Sequence, residues 1–182
     1  VAIQNLPVVF AIDRAGIVGP DGATHNGCFD ISFLRCVPNM TIMAPANAKE
    51  CRQMFSTAVQ LQTPVAVRYP RAVAVDVDDA LSLETLPLGR AEVLRKGSRA
   101  AILAFGPLLY EAEEVAKQLD LTVVNMRFVK PLDEELIKAM ALSHERLITL
   151  EDNALSGGAG SAVSEALQKI AIQIPVLALG IT

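Results

Sequence analysis

The 182-residue chain has no tryptophan, only three cysteines and only two histidines. Cys28, Cys36 and Cys51 form no Cys-x-x-Cys pair, which argues against a zinc site and favours reduced thiols in the cytoplasm. Apolar runs are short and interrupted by charges, so neither a signal peptide nor a membrane span is predicted. A net charge of −4 argues against a chain-wide nucleic-acid surface.

Hydrophobic residues make up 52% of the chain but aromatic residues only 4%, so the predicted core is mainly Val, Ile, Leu and Ala. Short apolar runs predict strands at residues 6–12, 41–44, 65–69, 100–105, 121–125, 146–150 and 175–179. Helical periodicity or a helix-starting residue occurs between most of them. Strands alternating with helices predict an α/β fold with parallel sheets and helices on both faces.

Two helix starts and two apolar faces are specific enough to test. Asn47, with Glu50 three residues later, predicts a capped helix start, and Pro131 is expected at the first position of another helix. The first of these helices is predicted to bury Cys51, Met54, Phe55, Ala58 and Val59. A third helix is predicted to bury Ala112, Val115, Ala116 and Leu119.

The chain is predicted to divide into two halves. An acidic run of Asp76, Asp78 and Asp79 has weak periodicity, and residues 76–87 are interpreted as a linker with solvated charges. This places one domain at residues 1–75 and another at residues 88–182.

The loop of residues 21–30 is the most informative segment. It reads Asp21-Gly22-Ala23-Thr24-His25-Asn26-Gly27-Cys28-Phe29-Asp30 and follows an apolar strand. His25 is a candidate general acid or base, and Asp21 is a candidate to orient it or to bind a substrate hydroxyl. The alternative for His25 is a loop residue that only caps backbone groups. Cys28 is interpreted as a small space-filling residue.

Arg14 and Arg71 each follow a predicted strand. Ligands of open α/β sheets bind outside the carboxyl ends of the strands, where two guanidinium groups are able to clamp a phosphate. The alternative is that each arginine makes an ordinary ion pair at the surface or between domains. His144 lies at a predicted helix end and is interpreted as structural. The glycine-rich segment 157–161 is interpreted as a tight strand-to-helix turn rather than an anion site.

These residues fall in segments that resemble the 1-deoxy-D-xylulose-5-phosphate synthase family. In the first half the similar segments are Asp13-Arg14-Ala15-Gly16, Gly19-Pro20-Asp21-Gly22-Ala23-Thr24-His25-Asn26-Gly27, Leu34-Arg35-Cys36-Val37-Pro38-Asn39-Met40, Glu50-Cys51-Arg52-Gln53-Met54 and Arg68-Tyr69-Pro70-Arg71. In the second half they are Met126-Arg127-Phe128-Val129-Lys130-Pro131-Leu132-Asp133 and Gly157-Gly158-Ala159-Gly160-Ser161. Transketolases share the Asp-Gly-x-Thr-His core but not the Arg-Tyr-Pro-Arg ending.

The resemblance implies a thiamine diphosphate- and Mg²⁺-dependent enzyme that condenses pyruvate with glyceraldehyde 3-phosphate and releases CO₂. It places Arg14 and Arg71 at the aldehyde phosphate, and Asp21 and His25 in the active site. It also implies part of a pyrimidine-binding parallel-sheet domain, followed by a truncated α/β domain of the transketolase C-terminal type.

The chain departs from the family in what it lacks. It has no Gly-Asp-Gly motif for metal and diphosphate, so it is expected to be a fragment with no cofactor or metal ligands of its own. Residues 6–12 are expected to form an interior strand whose open edge pairs with a second copy or with a missing N-terminal segment. Two alternatives are a transketolase or 2-oxoacid dehydrogenase β-type fragment, and a non-catalytic assembly module of the same fold.

Overall fold

A computed structural model describes residues 1–73 and 83–182, which form two sheets with flanking helices. The strands are β1 (Val9–Ile12), β2 (Thr41–Met43), β3 (Val65–Arg68), β4 (Glu92–Arg95), β5 (Ala101–Phe105), β6 (Thr122–Asn125), β7 (Phe128–Lys130), β8 (Leu147–Ala154) and β9 (Val176–Ile181). The α-helices are α1 (Asp30–Arg35), α2 (Ala48–Gln60), α3 (Leu109–Leu119), α4 (Glu134–Ser143) and α5 (Ala159–Lys169). The acidic residues Asp76, Asp78 and Asp79 lie outside the described residues.

The first sheet has the order β1-β3-β2-β7. β1 and β2 both pair in parallel with β3, with Val9 and Thr41 opposite Val65. β7 comes from the second half of the chain and joins antiparallel to β2. Among the described residues, strand β1 lies at the edge of this sheet. Because β7 crosses over, the two halves are joined by backbone pairing as well as by side-chain contacts.

The second sheet has the order β4-β6-β5-β8-β9. β6, β5, β8 and β9 run parallel to one another, and β4 is antiparallel to β6. β4 and β7 are the strands that the sequence did not predict. β4 alternates between exposed and half-buried residues, and β7 has only three residues, so neither forms a long apolar run.

The start of α2 confirms the predicted cap. The Glu50 backbone N–H donates to Asn47 Oδ1 at 2.8 Å, and the Glu50 carboxylate accepts from the Ala46 N–H at 2.8 Å. The first interaction satisfies an N–H group that the helix N-terminus leaves without an intrahelical partner, and the second ties the residue before the cap to the first turn. Met54 and Ala58 are buried as predicted, whereas Val59 is exposed.

The prediction for α4 was wrong at its start. Its first residue is Glu134, and Asp133 is the N-cap, accepting from the Leu136 N–H at 3.0 Å. Pro131 lies before the helix. In α3, Ala112 and Ala116 are buried as predicted, but Val115 and Leu119 are exposed. A carboxylate at the N-cap favours a helix start because it accepts a hydrogen bond from an N–H group of the first turn. The proline side chain has no such acceptor.

One cluster of buried apolar side chains runs between the sheets. It includes Ile42 of β2, Leu103 of β5, Ile31 of α1 and Val163 of α5. Burying a side chain of this size stabilises the fold by about 1.5–3 kcal/mol. The shared cluster, together with β7, holds the two halves in one arrangement. None of the helices in residues 1–73 and 83–182 combines the length and apolar character needed to cross a bilayer.

Candidate functional site

The residues between β1 and α1 form a closed loop, called here the 13–29 loop. Gly16 and Gly27 exchange two backbone hydrogen bonds, each of 2.9 Å, which close the neck of the loop. The Ala15 N–H donates to the Tyr69 carbonyl at 3.0 Å and so ties the loop to the end of β3. Beyond the neck, short 3₁₀ turns at Gly19–Asp21 and Ala23–His25 present polar side chains at the surface.

Asp21 lies between the two arginines predicted to bind phosphate. Arg14 Nε donates to Asp21 Oδ2 at 2.9 Å, and Arg71 pairs with the other oxygen of the same carboxylate. Hydrogen bonds from Arg71 and then Arg14 hold the pKa of the Asp21 carboxyl below its usual value. Arg14 also pairs with Asp13 at 2.8 Å. The structure therefore brings Arg14, Asp21 and Arg71 together in one cluster, called here the exposed triad.

His25 is exposed on the same loop, but it is not bonded to Asp21. Its Nδ1 lies 3.1 Å from the Thr24 hydroxyl oxygen. The idea that Asp21 orients His25 is not supported, because the Asp21 carboxylate is taken up by the two arginines. In the described part of the chain, Nε2 of His25 has no hydrogen-bond partner. The ring is thus held through Nδ1, and the residue is exposed at the surface.

A second ion cluster lies beneath this loop, and the sequence interpretation missed its role. Arg68, at the end of β3, is 1% exposed and pairs with Asp30 of α1 and Asp152 of β8. The Arg68–Asp30 contact is 2.8 Å, and the same guanidinium reaches the Gly27 carbonyl at 3.4 Å. Burial alone would lower the pKa of Arg68, but Asp152 and Asp30 outweigh it and raise the pKa. These three residues are called the buried triad.

One signal in the sequence pointed to the buried triad. Arg68 follows three apolar residues of a strand, and a charge in such a place needs a buried partner. The sequence did not show which carboxylates would supply it.

The glycine-rich turn before α5 accommodates a carboxylate of the protein itself. Glu151 is buried and accepts from the Ala159 and Gly160 N–H groups at 2.7 and 2.8 Å. Burial raises the pKa of Glu151, and these two N–H groups offset the effect only in part. The turn is therefore a strand-to-helix connection, as predicted, because the helix N-terminus is satisfied internally.

Two other sequence interpretations are also confirmed. His144 ends α4, with Nδ1 3.0 Å from the Met140 carbonyl and Nε2 2.8 Å from the Thr122 hydroxyl, which is a structural role. Cys28 is 5% exposed and packs as a small buried residue.

Residues 1–73 and 83–182 contain no group of three or more His, Cys, Asp or Glu side chains arranged to hold a metal ion. Their polar groups at the strand ends are instead arginines and single carboxylates. These side chains are suited to binding an anion directly.

Each half of the chain matches a model of a protein-domain family. Residues 1–74 match the model of the transketolase pyrimidine-binding domain, and residues 89–182 match that of the transketolase C-terminal domain. One solved structure, described as a split-gene transketolase in an inactive β4 tetramer, is 32% identical and has a TM-score of 0.89. That alignment covers 100% of this chain and 60% of the other. The predicted α/β class and both domain types are thereby confirmed.

Curated relatives show a higher sequence identity over the whole of this chain. The 1-deoxy-D-xylulose-5-phosphate synthase of Nitrosococcus oceani is 58% identical over 181 residues, and that of Nitrosomonas eutropha is 57% identical over 182 residues. The alignments cover 100% of this chain but only 28% and 30% of the relatives. With its second half matching one transketolase domain and its first half another, the chain belongs to the transketolase family.

Proposed function

We propose that this chain is part of a 1-deoxy-D-xylulose-5-phosphate synthase that condenses pyruvate with glyceraldehyde 3-phosphate and releases CO₂. The names of the curated relatives support this activity. The observation that carries the proposal is the convergence of Arg14 and Arg71 on one carboxylate of the 13–29 loop. Two guanidinium groups held that close together provide a site for a dianion at the carboxyl ends of neighbouring strands.

The arginines bind the phosphate of the aldehyde in this proposal. Each guanidinium presents paired N–H donors that match phosphate oxygens. Without substrate, Asp21 pairs with both arginines, and the incoming phosphate competes with its carboxylate for their donors. Binding energy from the phosphate then orients the carbonyl end of the same molecule, which is too small to be held firmly by itself.

His25 exchanges a proton with the acceptor. When the Thr24 hydroxyl donates to Nδ1, the neutral ring carries its proton on Nε2, which faces away from Thr24. A proton held there can be given to the aldehyde oxygen as that oxygen gains negative charge. His25 lies four residues after Asp21 on the same loop, so one loop carries both acceptor-binding and proton-transfer groups.

The cofactor and partners follow from the resemblance. Thiamine diphosphate and Mg²⁺ are bound by parts of the intact enzyme other than the residues described here. The chain assembles as a homodimer or with an N-terminal segment of the enzyme, in the cytoplasm. Residues 1–75 belong to the pyrimidine-binding domain, residues 76–87 to a linker and residues 88–182 to the C-terminal domain.

Acceptor preference tests the role of Arg71. In the full-length protein, Arg71→Ala should lower kcat/KM for glyceraldehyde 3-phosphate by about tenfold to a hundredfold, and that for unphosphorylated glyceraldehyde much less. Arg90→Ala is the matched control, because Arg90 and Arg71 have similar side-chain exposure, 55% and 56%. Equal losses with both acceptors would remove Arg71 from the substrate site.

The role of His25 is tested separately. His25→Ala should depress turnover with either acceptor, because proton transfer typically supplies about 10²- to 10⁴-fold. A loss confined to the phosphorylated acceptor would instead assign His25 to phosphate binding.

A second candidate is an assembly unit without turnover of its own. It is favoured by the solved relative, which is described as an inactive β4 tetramer. Calorimetric titration of the 182-residue chain with thiamine diphosphate and Mg²⁺ is expected to show negligible binding, and light scattering is expected to show a dimer or larger species. Tight metal-dependent binding or a monodisperse monomer would contradict these expectations.

A further inference from the structure

The buried triad contacts both sides of the neck of the 13–29 loop. On one side, the Arg68 guanidinium reaches the Gly27 carbonyl at 3.4 Å. On the other, Asp152 packs so closely against Gly16 that a Cβ added there would lie 2.7 Å from Asp152 Oδ2. Gly16 also has a φ of 74°, which other residues adopt only with strain. The backbone pair that closes the loop therefore rests directly on the ion pair.

The residues after Asp152 extend this contact along the end of the loop. Asn153 Oδ1 accepts from the Ile31 N–H at 3.2 Å, and the Ala154 N–H donates to the Cys28 carbonyl at 2.7 Å. Three consecutive residues of β8 thus hold the loop and the start of α1. β8 belongs to the second half of the chain, which supplies none of the side chains of the exposed triad.

Charge balance alone does not explain Asp152. Arg68 and Asp30 already form a buried pair with two contacts, of 2.8 and 3.3 Å. A second carboxylate that is only 13% exposed gives the cluster a net negative charge, and removing such a group from water is costly. Its position is accounted for by its two contacts: it binds the third guanidinium nitrogen, Nη1, and packs against Gly16, while Nη2 of the same guanidinium reaches the Gly27 carbonyl.

We infer that Arg68 and Asp152 are positioning residues that hold the neck of the 13–29 loop, so that the second half of the chain sets the geometry of the exposed triad. This inference rests on the proposed function. Arg14 is two residues before Gly16, and Asp21 and His25 lie within the loop that the neck closes. Loosening the neck spreads the positions of Arg14 and Asp21 relative to Arg71, which is attached to a different strand.

The test uses Asp152→Ala in the full-length protein, with Asp152→Asn as the variant that keeps the side-chain shape. Asp152→Ala should raise KM for glyceraldehyde 3-phosphate by about tenfold and leave KM for pyruvate unchanged, as expected when only acceptor-binding groups are misplaced. The effect of Asp152→Asn should be smaller, because its amide oxygen still accepts from Arg68. Glu165→Gln is the control, since it removes another ion pair between the halves, Arg35–Glu165.

Amide hydrogen exchange gives a readout that does not depend on substrate. In Asp152→Ala the Gly16 and Gly27 amides should exchange at least about tenfold faster, while those of Ile102 and Leu103 in β5 keep their rates. Unchanged exchange at the neck, or equal increases at the neck and in β5, would overturn the inference.

The two proposals fail in different ways. If Arg71→Ala shows no preference between acceptors but Asp152→Ala still speeds exchange at the neck, the phosphate role is wrong and the positioning of the loop stands. If Arg71→Ala discriminates and Asp152→Ala changes neither KM nor exchange, only the positioning role is wrong.

Discussion

The two charged triads of this chain are opposites in composition and in exposure. The buried triad has one arginine between two aspartates, with side chains of Arg68, Asp30 and Asp152 that are 1%, 5% and 13% exposed. The exposed triad has one aspartate between two arginines, and Asp21, Arg14 and Arg71 are 16%, 37% and 56% exposed.

The difference in solvent access separates a structural cluster from an exchangeable one. An ion pair in water contributes little and can trade one partner for another anion. Forming an ion pair away from water costs desolvation free energy. Removing only one of its partners costs more, because the remaining buried charge has neither a partner nor solvent. Similar side chains thus form a buried ion cluster beneath the loop and a solvent-accessible one on its surface.

Breaking the buried triad should have the largest effect. Arg68→Met leaves Asp30 and Asp152 buried without a cation, which should lower the free energy of unfolding by about 3–5 kcal/mol. Chemical denaturation measures this value. Arg71→Met is the matched change in the exposed triad and should leave the denaturation midpoint where it is. Similar midpoints for the two variants would show that burial does not separate the triads.

Glu151 sharpens the comparison, because it is a buried carboxylate next to Asp152 that is held mainly by backbone N–H groups. In Glu151→Gln the side-chain amide can accept from only one of the Ala159 and Gly160 N–H groups. The free energy of unfolding should fall by about 1–3 kcal/mol, the cost of a buried donor without a partner. An unchanged value would mean that α5 tolerates the loss of one cap.

The pH dependence of this difference has a definite sign. Burial raises the folded-state pKa of Glu151 above the usual 4.5, so the folded protein holds this proton more tightly than the unfolded chain. The resulting stability is fully present below about pH 4.5 and is lost as the pH rises through the raised pKa. The Gln variant has no such group, so its deficit relative to the wild type should shrink with rising pH. A deficit that grows with pH would contradict the raised pKa.

Removing the competing carboxylate of the exposed triad should have a smaller effect. Asp21→Asn leaves Arg14 and Arg71 in place without their shared anion, so affinity for inorganic phosphate should increase by about fivefold. Calorimetric titration of the full-length protein measures this change, with Asp13→Asn as a control that removes the outer partner of Arg14 only. Weaker phosphate binding in Asp21→Asn would show that the carboxylate organises the arginines instead of competing with phosphate.

The smallest expected difference between the triads is in their response to salt. Raising the ionic strength from 0.05 to 0.5 M should weaken phosphate binding about threefold, because exposed charges are screened. The stability difference between wild type and Arg68→Met should stay the same at both salt concentrations. A difference that falls with salt would place Arg68 in contact with solvent.

Local patterns in the sequence predicted most of the elements. Apolar runs predicted β1, β2, β3, β5, β6, β8 and β9. The pair Asn47 and Glu50 predicted the start of α2, because a cap involves residues only three apart. The errors were also local in origin. The fixed φ of Pro131 predicts a helix start at that position, but Asp133 accepts a hydrogen bond from the Leu136 N–H and decides where α4 begins.

The sequence by itself determined which residues are candidates for the chemistry: one loop with Asp21 and His25, and arginines after two strands. Only the tertiary structure decided how they meet. Asp21 and Arg71 are 50 residues apart, and Arg68 and Asp152 are 84 apart. Asp21 and Arg71 meet because β1 and β3 are parallel neighbours in one sheet, whereas Arg68 and Asp152 meet between the two sheets, and no short-range pattern reports either contact. Burial then separated the arginines. The Arg68 side chain is shielded from solvent, whereas those of Arg14 and Arg71 are more exposed and able to exchange ion-pair partners.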